Sequence, residues 1–119
     1  MLFRSRKKVS DEPYYDLNDD WSLIVSSFQT QYGIRLSNEL SGMNWREFVY
    51  LLEGLSGDTP LGRIIAIRAE NDPEVLKQFN AHQRQIRNDY RRKMAMKKPK
   101  EDVESAYEGF KKAFIQLAK

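Results

Sequence analysis

The chain has 119 residues, of which 40% are hydrophobic and 31% charged, enough for one domain with one modest core and a heavily solvated surface. It contains no cysteine and one histidine, His82, which removes disulfides, thiolate nucleophiles, cysteine zinc sites and multi-histidine metal sites from consideration. No stretch approaches the roughly 18 uninterrupted apolar residues of a membrane span. Met1-Leu2-Phe3 precedes Arg4, Arg6, Lys7 and Lys8, the reverse of a secretory signal's order, so a cytosolic protein without membrane contact is expected.

The formal net charge of +3 is unevenly spread. Residues 11–20 carry Asp11, Glu12, Asp16, Asp19 and Asp20 with no basic residue among them. Between Lys77 and Lys100 nine basic side chains face one acidic residue, Asp89. Such polarity suits docking onto a charged partner, head-to-tail self-association, or mutual neutralisation within one fold.

Residues 1–18 mix charge runs with Pro13 and show no sustained period, which predicts a flexible N-terminal arm. A helical domain over 19–119 follows. Asp19 or Asp20 is placed to cap a helix from Trp21, whose face is Trp21, Ile24, Val25 and Phe28, and Gly33 is its expected stop. Ile34 and Leu36 lead into a polar loop over 37–42. Asn44 and Glu47 have capping-box spacing before the stripe Trp45, Phe48, Val49 and Leu52.

Thr59-Pro60 opens the next helix, with proline at the first position, where no amide bond is lost. Leu61, Ile64 and Ile65 face inward, Arg63 and Arg68 lie off that stripe, and Ala66 and Ile67 widen the apolar surface. Asp72-Pro73 starts a predicted long basic helix over 73–95, followed by a basic hinge at 96–100. The C-terminal helix, 101–118, carries the stripe Val103, Ala106, Tyr107, Phe110, Phe114 and Leu117, with acidic residues early and lysines late, as the helix dipole favours. No strand-like alternation appears. The fold class is all-α: a single small domain of about five helices.

No catalytic constellation emerges. His82 has neither an orienting carboxylate nor a nucleophile at helical spacing. The pairs Asp19-Asp20 and Glu70/Asp72 stand where helix caps are needed, and the glycines match no phosphate-binding loop. No enzyme activity, cofactor or metal is therefore expected. Arg84, Arg87 and Arg91 form a ridge able to track phosphates, with Gln83, Gln85 and Asn88 beside it. The alternative function is accordingly a small DNA-binding accessory or regulatory protein using the basic helix 77–98.

The blocks Phe28-Gln-Thr-Gln-Tyr32-Gly33-Ile34-Arg35-Leu36, Met43-Asn44-Trp45-Arg46-Glu47-Phe48, Leu51-Leu52-Glu53-Gly54-Leu55, Asp58-Thr59-Pro60-Leu61-Gly62 and Ile67-Arg68-Ala69-Glu70 follow one another in order. Together they resemble the small tail assembly chaperones of long-tailed phages and prophages of Gram-positive bacteria, encoded between the major tail protein and the tape-measure protein. Arg35 and Arg46 stand where that pattern often has an acidic and an aromatic residue. The resemblance implies a helical, self-associating protein of the host cytoplasm, absent from the mature virion. It would coat the tape-measure helix before the tube polymerises, with the tape-measure protein as main partner and the major tail protein as a further one. The expected partner-binding residues are Tyr50, Leu51 and Ile67, apolar and off the main stripes, with Arg84, Arg87 and Arg91 choosing partner or orientation.

Overall fold

The computed structural model describes residues 12–96 and 103–118, and among these there are helices and no strands. Five helices have nine or more residues: α1 (Trp21–Tyr32), α3 (Trp45–Glu53), α4 (Pro60–Ala69), α6 (Ala81–Ala95) and α7 (Val103–Ala118). Two four-residue helices, α2 (Leu36–Glu39) and α5 (Pro73–Leu76), and a 3-10 turn, Leu40–Gly42, complete the order. Residues 1–11, 97–102 and 119 lie outside the described residues, and with them most of the expected hinge and of the N-terminal arm.

α1 is the central element. It buries Trp21, Ile24, Ser27 and Phe28 along one face and packs against α4 on one side and α2 and α3 on the other. Gly33, with φ of +69°, ends it as expected: its amide donates to the Gln29 carbonyl and that of Ile34 to the Phe28 carbonyl. Asp20 does not cap α1. Its backbone, at φ −104° and ψ 16°, lacks the extended conformation of an N-cap, and its carboxylate is turned towards Arg68.

The expected polar loop at 37–42 is instead α2 and the 3-10 turn. Leu36 and Leu40, one helical turn apart, are both fully buried, and that burial organises the intervening polar residues. Asn44 then caps α3, accepting the Glu47 amide at 2.9 Å. The α3–α4 connection is held from α1: the Gln31 side chain donates to the Gly54 carbonyl and accepts from the Ser56 amide, while the Tyr32 hydroxyl donates to the Leu51 carbonyl.

At the start of α4 the Thr59 hydroxyl accepts the Gly62 amide and donates to the Ser56 carbonyl. The buried Ser27 hydroxyl accepts the Leu61 amide at 2.9 Å and donates to the Leu23 carbonyl, tying α4 to the middle of α1. The long helix predicted over 73–95 is two helices. Asp72 caps α5, and the chain then leaves the helix to bury Phe79. It restarts with a reciprocal capping box, in which the Asn80 side chain accepts the Gln83 amide and the Gln83 side chain accepts the Asn80 amide. α6 lies along α4.

Gly62 is required by space. A Cβ there would stand 2.2 Å from the Ser56 carbonyl oxygen and 2.9 Å from the Gly57 Cα, both backbone atoms. Gly62→Ala is expected to cost about 1–3 kcal/mol, lowering the thermal midpoint by circular dichroism, whereas Gly57→Ala, which meets nothing within 4 Å, should change stability by less than about 0.5 kcal/mol.

Candidate partner-binding surface

Two constructions divide the molecule. The first surrounds Arg68, whose side chain is only 14% exposed. Its guanidinium meets the Asp20 carboxylate in a two-pronged pair at 2.9 and 3.1 Å, donates to the Tyr14 carbonyl, and lies 4.5 Å from the centre of the Tyr90 ring. The Tyr90 hydroxyl donates to the Glu12 carboxylate at 2.5 Å, and that carboxylate also accepts the Tyr14 amide. Burial, reinforced by the Glu12 charge, pushes the Tyr90 hydroxyl far above its ordinary pKa.

Tyr14 adopts a φ of +62°, an unfavourable conformation for an aromatic residue. A strained backbone of this kind costs about 1–3 kcal/mol, and the bonds to Arg68 and Glu12 hold it in place. Residues 12–18 are therefore packed rather than part of a flexible arm, with Tyr15 and Leu17 against the core. Beside this hub is a cleft of about 320 Å³, with Leu23, Ile64 and Ile86 forming its apolar wall. Two of its carboxylates are ion-paired at the rim: Asp19 with Lys93, and Asp89 with Arg92.

The second construction is an aromatic seat. Trp21, Met43, Trp45 and Phe48 of the chain's first half receive Tyr107, Phe110 and Phe114 from the stripe of α7, while the side chains of Val103 and Leu117 lie outside the described residues. Tyr107 is fully buried, 4.6 Å from the Phe48 ring and 5.1 Å from the Trp45 ring. Phe110 and Phe114 lie 4.4 and 5.5 Å from the Trp21 ring. The Tyr107 hydroxyl and the Lys111 ammonium both donate to the Met43 carbonyl, fixing the register of α7. Ala106, expected on this stripe, is exposed. Burial, with Glu108 and Glu47 nearby, pushes the Tyr107 hydroxyl up to about 12.

The six residues expected to bind partners are dispersed. Tyr50 is 65% exposed on the outer face of α3, while Leu51 and Ile67 are half-buried. The arginine ridge is largely engaged within the fold. Arg87 donates to the Glu70 carbonyl and the Asn71 side chain, and Arg91 donates twice to the Arg68 carbonyl, so both satisfy backbone groups at the C-terminal end of α4. Arg91 also stands 5.8 Å from the Tyr14 ring. Arg84 is exposed, as is His82. Among the described residues no group of three or more His, Asp or Glu is placed to hold a metal ion, and no helix is long and apolar enough to cross a membrane.

Asp20, Arg68 and Tyr90 organise the molecule most; local spacing places Asp20 as a cap and Arg68 off the apolar stripe, and carries no signal that pairs residues 48 positions apart.

Fold and surface define, among the described residues, an all-helical protein with a seat for α7, a hub built on a buried ion pair and an outward-facing aromatic on α3. The sequence pattern of the bacteriophage Gp15 protein family matches residues 3–95, more than half of the chain, and the chain belongs to that family. It is a phage protein. No curated protein and no solved structure matches it.

Two outcomes test this description. Arg68→Ala strands the buried Asp20 carboxylate and should cost about 3–5 kcal/mol in denaturant unfolding, whereas exposed Arg84→Ala should cost less than about 0.5 kcal/mol. Because the folded state holds the Tyr107 proton to about pH 12, against an ordinary tyrosine value of about 10, its contribution to stability is complete below pH 10 and is lost as pH rises from there towards 12. The thermal midpoint should fall across that window, and less steeply in Tyr107→Phe.

Proposed function

We propose that this phage protein is a non-enzymatic tail assembly chaperone that binds and solubilises the tape-measure protein and self-associates during tail morphogenesis. It would act in the host cytoplasm and be absent from the finished virion. The order of sequence blocks from Phe28 to Glu70 supports this reading, as does membership of a phage protein family.

The observation that carries it is Tyr50. This aromatic is 65% exposed, and on its own helix face it is ringed by Arg46, Glu47 and Glu53, all exposed. A large aromatic inside a polar rim is the composition of an interface anchor. It suits weak attachment to the apolar stripe of a long helix, with charged neighbours choosing the register. Many copies along one tape-measure chain would hold it by avidity and still be displaced one at a time by the growing tube. Half-buried Leu51 and Ile67 supply less area than Tyr50. Against the DNA-binding alternative, two of the three ridge arginines donate to backbone carbonyls within the fold.

Co-expression with the tape-measure protein of the same phage should keep that partner soluble and co-purify it. Tyr50→Ala should reduce co-purification several-fold with an unchanged melting curve, since the side chain is outside the core. A partner that stays insoluble with the wild-type chain sinks the proposal.

A further inference from the structure

The cleft beside the hub takes its apolar wall, Leu23, Ile64 and Ile86, from α1, α4 and α6. An apolar cavity of about 150 Å³ holds a benzene ring, so a cleft of about 320 Å³ has room for a phenyl side chain. Its charged lining is acidic on balance. Asp16, Asp19, Asp20 and Asp89 stand against Arg68 and Lys93, and one carboxylate remains in excess when Arg92, on Asp89, is counted as well. Such a cleft selects a segment that joins an apolar side chain to several cations, and it disfavours phosphate-rich partners. Tyr90 lines the same cleft, and its hydroxyl is bonded to the Glu12 carboxylate. The described chain thus starts at the cleft's edge. The sequence just before it reads Leu2-Phe3-Arg4-Ser5-Arg6-Lys7-Lys8, and from Phe3 onward it lies inside the region matched by the phage family, residues 3–95.

We infer that residues 2–8 of the same chain dock in this cleft, with the Phe3 ring against Leu23, Ile64 and Ile86 and the four cations along the acidic rim. The chain's own segment is favoured as occupant by its composition and by its tether. Only Val9, Ser10 and Asp11 separate Lys8 from Glu12, a span of about 14 Å at full extension. A tether this short holds its segment at an effective concentration on the order of millimolar, so contacts too weak to capture a free peptide suffice here. A cationic, amphipathic partner reaches the cleft only by displacing residues 2–8, which makes them a built-in competitor for it. The cleft and Tyr50 share no residue, so this inference stands or falls separately from the proposed chaperone role.

The test is nuclear magnetic resonance of the full-length chain at low salt, with protonated phenylalanine rings and labelled leucine and isoleucine methyls. Docking predicts nuclear Overhauser contacts from the Phe3 ring to the methyls of Leu23, Ile64 and Ile86, identified by their loss in Phe3→Ala. They should weaken at least several-fold when salt is raised to about 1 M, where the screening length is about 3 Å. The same loss is expected in a variant carrying Arg4→Gln, Arg6→Gln, Lys7→Gln and Lys8→Gln, with wild-type helicity by circular dichroism. Contacts that are absent at low salt overturn the inference, as do contacts indifferent to both salt and the four glutamines. A mixture of ring-protonated and methyl-labelled copies should show none of them; contacts seen in that mixture place another copy's segment in the cleft and overturn the assignment to the same chain.

Discussion

The pairing of Asp20 with Arg68 is the constraint from which much of the architecture follows. A guanidinium that is six-sevenths buried needs its charge met and its terminal nitrogens engaged, although the Arg68 Nε itself finds no acceptor. Meeting the charge requires the turn before α1 to carry a carboxylate inward, which is why Asp20 leaves the capping position. Spending the donors requires the Tyr14 carbonyl, and that in turn bends residues 12–16 back over α4 with a left-handed Tyr14. The Tyr90 ring covers the guanidinium from above and draws α6 against α4. Three separate stretches of sequence are thereby fixed around one cation.

The same arginine explains the unequal roles of the basic residues on α6. α4 ends without a glycine cap, in the extended residue Glu70, so its last carbonyls need donors from elsewhere. Arg87 and Arg91, spaced one helical turn apart, supply them. Two members of what looks in sequence like a cationic surface thus serve to close one helix with another, while Lys77, Arg84, Arg92 and Lys93 stay exposed. The remaining apolar construction, the aromatic seat of α7, meets this hub at the start of α1, where Trp21, the residue next to Asp20, packs against Phe110 and Phe114.

Much of this was legible in the sequence wherever the determining residues are neighbours. The faces of α1 and α3, the Gly33 stop, the Asn44 cap, the Thr59-Pro60 start and most of the α7 stripe all follow from spacings of a few residues. The misreadings have local causes too. Asn80 and Gln83 form a capping box, but it lay inside a stretch whose apolar and basic periodicity suggested continuity, and Leu36 and Leu40 hid a helical turn in a polar segment. The hub was out of reach for a different reason. An ion pair across 48 residues leaves no periodic trace, and each partner taken alone has an ordinary explanation, Asp20 as a cap and Arg68 as an arginine off the apolar stripe. Of the expected contact residues, Tyr50 alone faces fully outward among the apolar three, because Leu51 and Ile67 lie at the margins of their buried faces and are partly covered.

The chain has two tryptophans, and both line the seat of α7: Trp21 against Phe110 and Phe114, Trp45 against Tyr107. Trp21 is buried and Trp45 half-buried with α7 in place. Ultraviolet emission from the unlabelled protein is therefore an optical gauge of the seat: withdrawal of α7, like unfolding, brings water to both indoles and moves their light to the red.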